Sequence, residues 1–148
     1  MLLVTCQVRW VNYLLAQTEI RQIRDRVFVQ EQQIPLAHEF DGQDPYALHA
    51  LAYHQDQAVG TLRLRILNAN TIKLERLAVL SPFRGQGIGS SLTQAALSQT
   101  QRQGYQQIVL HAQQYIVPLY AKLGFQAQGE PFIEADIPHI KMGLTVAA

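Results

Sequence analysis

Residues 77–92 read LAVLSPFRGQGIGSSL, and their interpretation decides the fold. Three glycines, Gly85, Gly87 and Gly89, alternate behind Arg84, between an apolar run and a helix-like run. Glycine removes the Cβ where a chain turns with positive φ or lets something approach its backbone. The opening amides of the following helix, with its dipole, would suit an anion such as a pyrophosphate. A sharp turn with close helix packing explains the same glycines without a ligand. Two better-known phosphate motifs do not fit. Gly89 is followed by Ser90 and Ser91 with no P-loop lysine. Counted from Gly85 and Gly87, the third glycine of a dinucleotide fingerprint would fall on Ser90, and YQQIVL offers no ribose-binding acid.

Working outward, TIKLERLAVL before the glycines reads as a strand, with Ile72, Leu74, Arg76 and Ala78 on one face and Glu75, Leu77 and Val79 on the other. Behind them, Ile88, Leu92, Ala95, Ala96 and Gln99 form the stripe of a helix that Gly104 should end. ALHALAYH and AVGTLRLRIL flank the turn QDQ as a hairpin. The opening alternates through Val4, Cys6, Val8 and Trp10 as a strand; Ile20, Ile23, Val27 and Phe28 then follow a helical period, with Thr18 as its expected N-cap and Pro35 as its stop. LAHEFDGQDPY reads as a loop, YQQIVLHA as a strand, QYIVPLYAKLGF as a short helix closed by Gly124, and HIKMGLTV as a last strand. Strands on either side of a helix favour a parallel pair and the meander favours antiparallel pairing, so a mixed sheet covered by helices is expected.

A chain of 148 residues fits one domain, placed at 1–148. A net charge of +1, and basic residues Arg21, Arg24 and Arg26 interrupted by Asp25, argue against a nucleic-acid partner. The lone Cys6 and scattered histidines give no zinc spacing, and no run reaches the about 20 apolar residues of a membrane span. The expectation is a soluble, cytoplasmic protein with no metal and no membrane partner.

ERLAVLSPFRGQGIGSSL resembles the acetyl-CoA-binding motif of the GNAT superfamily of N-acetyltransferases, matched at Arg84, Gly87 and Gly89, and VPLYAKLGF resembles its next motif. RDRVFVQEQQIPLAHEFDGQD and IEADIPHIKM resemble the YjcF-like and ElaA-like branch, so the likeness spans nearly the whole chain. It implies an α/β (α+β) fold: a mixed, mostly antiparallel central sheet of six to seven strands flanked by helices. It further implies acetyl-CoA as co-substrate. Arg84, Gly85, Gln86, Gly87, Ile88, Gly89 and Ser90 would cradle its pyrophosphate, and the main chain of Leu77, Ala78 and Val79 would pair with its pantetheine arm. Tyr120 would return a proton to the leaving thiolate. Gln113 stands where the superfamily often has asparagine.

For the base that must neutralise an amine, Glu75 is the first candidate, with Glu31, His111 and His139 competing. The acidic loop, Asp41 above all, would attract a cationic acceptor, with Glu31, His111 and His139 as further acceptor contacts. The implied function is acetyl transfer from acetyl-CoA to a primary amine of a small molecule or peptide by direct attack in a ternary complex. Two alternatives share the pocket: a non-catalytic acyl-CoA-binding module, and an acyl-homoserine-lactone-synthase-like acyltransferase. A homodimer is left open.

Overall fold

The computed structural model describes residues 5–146. Seven strands form one sheet: β1 (Gln7–Val11), β2 (Leu48–His54), β3 (Gln57–Ile66), β4 (Thr71–Val79), β5 (Gln107–Gln113), β6 (Gln126–Glu134) and β7 (Ile137–Thr145), in the order β1-β2-β3-β4-β5-β7-β6. Helices α1 (Tyr13–Arg24), α2 (Leu36–Glu39), α3 (Ile88–Arg102) and α4 (Val117–Lys122) accompany it. Every neighbouring pair is antiparallel except β4 and β5, which α3 connects. A parallel pair needs such a crossover, so the expected mixed, mostly antiparallel sheet is the one formed. Among the described residues no helix is long and apolar enough to cross a membrane.

Each face of the sheet has its own core. On one, Ile88, Leu92 and Ala96 of α3 and Tyr120 of α4 pack on Leu62, Leu64, Ile72, Leu74, Ile108 and Leu110. Across the sheet, Ala16, Ile20, Ile23, Val27 and Phe28 pack against Leu51, Ala78 and Leu80. The helical period of Ile20, Ile23, Val27 and Phe28 therefore describes the buried stripe. Its cap does not lie at Thr18, which is inside the helix. Asn12, with extended backbone directly after β1, accepts from the Leu15 amide at 3.2 Å through its side chain. α1 passes at Asp25 into a π-helical segment that ends at Glu31, ahead of Pro35.

Other expectations need correction. In α3, Ala95 and Gln99 are only half-buried, while Thr93 and Thr100 are buried because their hydroxyls donate to the carbonyls of Gly89 and Ala96 at 2.8 and 2.7 Å. LAHEFDGQDPY is not a plain loop: it carries α2 and a 3-10 turn at Asp44–Tyr46, held from beneath by arginines. No alternation marks β6; only the likeness carried by VPLYAKLGF, in which a short helix precedes a strand at GF, points to it. It is an edge strand exposed over Gln126–Pro131, its pairing with β7 shifts between Gln128 and Phe132, and Gly129 and Pro131 erase the alternation that marks a strand. Val4 of the opening strand lies outside the described residues.

A bulge in β4 shapes everything downstream. Arg63 pairs with Glu75 and Thr61 with Ala78, so Arg76 and Leu77 stand opposite the single residue Leu62. Arg76 takes φ 60° to accommodate the extra residue. The alternation then inverts: Leu77 and Val79 join the face of Ile72 and Leu74, while Ala78 points into the core beneath α1. The face assignment read from strict alternation is therefore wrong beyond Glu75. Parallel pairing of β4 with β5 runs from Thr71↔Gln107 to Leu74↔Leu110. Past Leu74 the two strands diverge.

Candidate functional site

Where β4 and β5 part, a cleft of about 320 Å³ opens through the sheet. Ile116 and Tyr120 line it from the side of α4; Glu39, Asp41, His111, Gln113, Glu134 and His139 line it from the other, with Leu74–Leu77 along its floor.

The glycine turn is built by two different needs. Gly85 and Gly87 have φ 75° and 87°, the left-handed region that glycine adopts without strain. A Cβ on Gly85 would meet nothing within 4 Å, so the space in front of the turn is open. Gly89 is a packing glycine, because a Cβ there would lie 3.2 Å from Leu119 Cδ1 of α4. α3 begins at Ile88 with no side-chain cap, which leaves the first-turn amides, Ile88 to Ser90, to find other partners. The Ile88 side chain is buried in the core, so only its backbone can serve a ligand. Gln86 Oε1 is buried without a hydrogen-bond partner.

Arg84 locks this turn to its surroundings. Its Nε donates to the Val79 carbonyl at 2.8 Å, and its terminal nitrogens grip Glu31 at 2.9 and 3.0 Å. Glu31 therefore sits on the arginine behind the turn and does not line the cleft, contrary to its expected place beside the acceptor.

A buried ion network underlies the other wall. Arg24 bonds Glu39 at 2.7 Å and Asp44 at 2.6 Å; Arg63, 1% exposed, bonds Asp41, Asp44 and Glu75. Arg65 and Lys73 reach the second Glu75 oxygen at 2.9 and 3.3 Å. Burial pushes the Glu75 carboxyl up, but the Arg65 hydrogen bond and the charges of Arg63 and Lys73 prevail and hold it at about 2. A carboxylate so held is too weak a base for an ammonium proton, and the bulge separates its face from that of Leu77. Asp41 is likewise held well below the ordinary range, against its burial, by Arg63, the Gln43 amide and Arg76. Both acids fix the wall's shape rather than offering free charge.

His111 and His139 do meet. His111 Nδ1 lies 3.1 Å from Glu134 Oε1, and His139 Nε2 lies 3.7 Å from Glu134 Oε2. His139 Nδ1 is 2.7 Å from the Ile137 carbonyl, and Phe132 packs against both rings. Sequence reasoning missed Glu134 because no alternation marks β6. Gln113 donates to Gln32 Oε1 at 2.8 Å at the cleft's edge. Tyr120, 4% exposed, packs edge-on against Phe125. Burial, with a smaller contribution from Tyr115, pushes its phenol well above the usual value, so it carries its proton at neutral pH.

A protonated phenol and a histidine pair thus line one cleft, and β4, which forms its floor, leads on to the open amides at the start of α3. Residues 16–146 match the family described as Acetyltransferase (GNAT) domain. YjcF of Bacillus subtilis, described as an uncharacterized N-acetyltransferase, is 34% identical over 121 residues, covering 81% of this chain and 86% of that one. Among solved structures, an acyl-CoA N-acyltransferase from Pseudomonas aeruginosa superposes with a TM-score of 0.83 at 30% identity, covering 94% of this chain and 99% of that one. ElaA of Escherichia coli gives 0.84 at 25% identity, with the same coverage of both chains.

Proposed function

Because the chain belongs to the GNAT acetyltransferase family, and is thus an acyltransferase, we propose that it moves the acetyl group of acetyl-CoA to a primary amine by direct attack in a ternary complex. The observation that carries this reading is the uncapped start of α3 behind a turn whose Gly85 faces open space, following directly on β4, whose Leu74–Leu77 line the cleft. The amides of residues 85–90 fit a pyrophosphate there, aided by the helix dipole. Arg84 shapes the turn through Val79 and meets the anion by releasing Glu31. Gln86 contributes its amide at the same bend.

The main chain of Leu77, Ala78 and Val79, on the edge of β4 that leaves β5, supports the pantetheine arm and the thioester carbonyl. Donors already aimed at a developing oxyanion lower the barrier to attack. Gln113, across the gap, borders the same arm. Tyr120 reaches the opening from α4 and returns a proton to the departing sulfur. The whole of residues 1–148 acts as one unit, in the cytoplasm, where a lone thiol at Cys6 stays reduced.

The test combines acetyl-CoA with a panel of primary amines, following free thiol and the acetylated amine by mass spectrometry. Stoichiometric appearance of both is expected. Binding of acetyl-CoA with no product from any amine would favour a non-catalytic acyl-CoA-binding module.

A further inference from the structure

We propose that the cleft wall made by His111, Glu134 and His139 receives the acceptor as an ammonium ion and that His111 Nε2 takes its proton. The proposal rests on the acetyl-transfer reading and adds the acceptor's side of the chemistry. Four carboxylates line the cleft. Glu39 is paired with Arg24 and Arg76 at 2.7 and 3.1 Å, Asp41 with Arg63 and Arg76, and Glu75 with Arg63, Arg65 and Lys73. These three already face permanent cations. Glu134, 43% exposed, has only histidines as ion-pair partners among the described residues, so its negative charge is the one an incoming ammonium can use.

The hydrogen bonds set the proton positions. Glu134, as a carboxylate, can only accept, so the His111 Nδ1 that faces it carries the hydrogen and Nε2 keeps its lone pair. His139, fixed by the Ile137 carbonyl through Nδ1, lies by the second Glu134 oxygen, and Phe132 packs against both imidazole rings. Glu134 and His139 are thus positioning residues, with His111 as the base. The other charged groups around His111 are Lys73 and Glu75 from β4, bound to each other, Lys141 opposite on β7, and Glu39 and Asp41 across the cleft.

In the step itself, the ammonium gives one proton to His111 Nε2 and its nitrogen lone pair forms the bond to the thioester carbon. The carbon–sulfur pair leaves with sulfur. Tyr120 gives its proton to the thiolate, the second nitrogen proton leaves as the amide forms and is returned through solvent to the Tyr120 phenolate, and His111 releases its own proton to solvent.

Three readouts test this. In nitrogen-15 spectra of the ligand-free protein, His111 should be the Nδ1–H tautomer, and Glu134→Gln should shift it toward the other. With benzylamine and spermidine as acceptors, His111→Gln should lower kcat/KM about a hundredfold and remove the ascending limb of its pH profile. Imidazole should restore part of the rate to His111→Ala, and Glu134→Gln should raise KM for the amines. Acetyl-CoA affinity, measured by calorimetry, should stay unchanged in all three variants. An Nε2–H tautomer at His111, or a wild-type pH profile in His111→Gln, would overturn the proposal while acetyl transfer stood. Failure of the unaltered protein to bind acetyl-CoA would instead strike the functional reading beneath it.

Discussion

Replacing Glu75 by glutamine removes one charge from the centre of the buried network and keeps its volume. The Glu75 side chain is 7% exposed and faces Arg63, Arg65 and Lys73, so solvent screens the attraction little. Its carboxyl moves from the ordinary 4.5 to about 2 on folding. At about 1.4 kcal/mol per tenfold change in proton affinity, that carboxylate contributes about 3 kcal/mol of stability at neutral pH. A depressed folded-state value gives a contribution present above the unfolded value and lost as pH falls toward the folded one. Urea unfolding at pH 7 should therefore show Glu75→Gln less stable by about 3 kcal/mol, and at pH 3 by about half that. Its kcat/KM pH profile, measured on folded protein, should keep its shape, since Glu75 anchors the wall and is not the base. A stability loss under about 0.5 kcal/mol, the level of ordinary surface changes, or one independent of pH, would refute the reasoning.

Tyr120→Phe should lower kcat about a hundredfold while leaving acetyl-CoA affinity intact, read by steady-state kinetics beside calorimetry. Gly60→Ala should destabilise by about 1–3 kcal/mol in thermal unfolding, because its Cβ would lie 3.0 Å from Leu92 Cδ1, 3.2 Å from the Ala78 carbonyl and 3.3 Å from Ile88 Cγ2. Asn12→Ala should cost about 1 kcal/mol in urea unfolding through loss of the α1 cap, with activity unchanged.

Periodicity made the helical stripes and most strands legible, since burial on one face enforces it. The β4–α3–β5 crossover also followed from element order. What stayed hidden depended on contacts between distant segments. Arg63 and Arg65 alternate with Leu62, Leu64 and Ile66 in β3, and nothing in that pattern shows that Arg63 is buried, because the acidic segment from Glu39 to Asp44 that folds over it is distant in the chain. The bulge at Arg76 leaves no mark in the sequence, and it alone moved Glu75 off the face of Leu77. β6 lacks alternation because an edge strand exposes both faces near Gly129, and Glu134 was lost with it. Asn12 was passed over as a cap because the helical period was taken to start only at Ile20. The glycine turn was the most legible part of the site: positive φ at Gly85 and Gly87 is a local requirement that only a few residue types meet.

The central claim is an acyl-CoA cradle at that turn, and Gly85→Asp tests it most directly. The added side chain finds open space, aspartate tolerates left-handed backbone, and a negative charge is set where the pyrophosphate would lie. Isothermal titration with acetyl-CoA should show binding by the unaltered protein and an affinity at least about tenfold weaker, 1.4 kcal/mol, in a folded Gly85→Asp variant. No binding by the unaltered protein, or equal binding by both, would contradict the account.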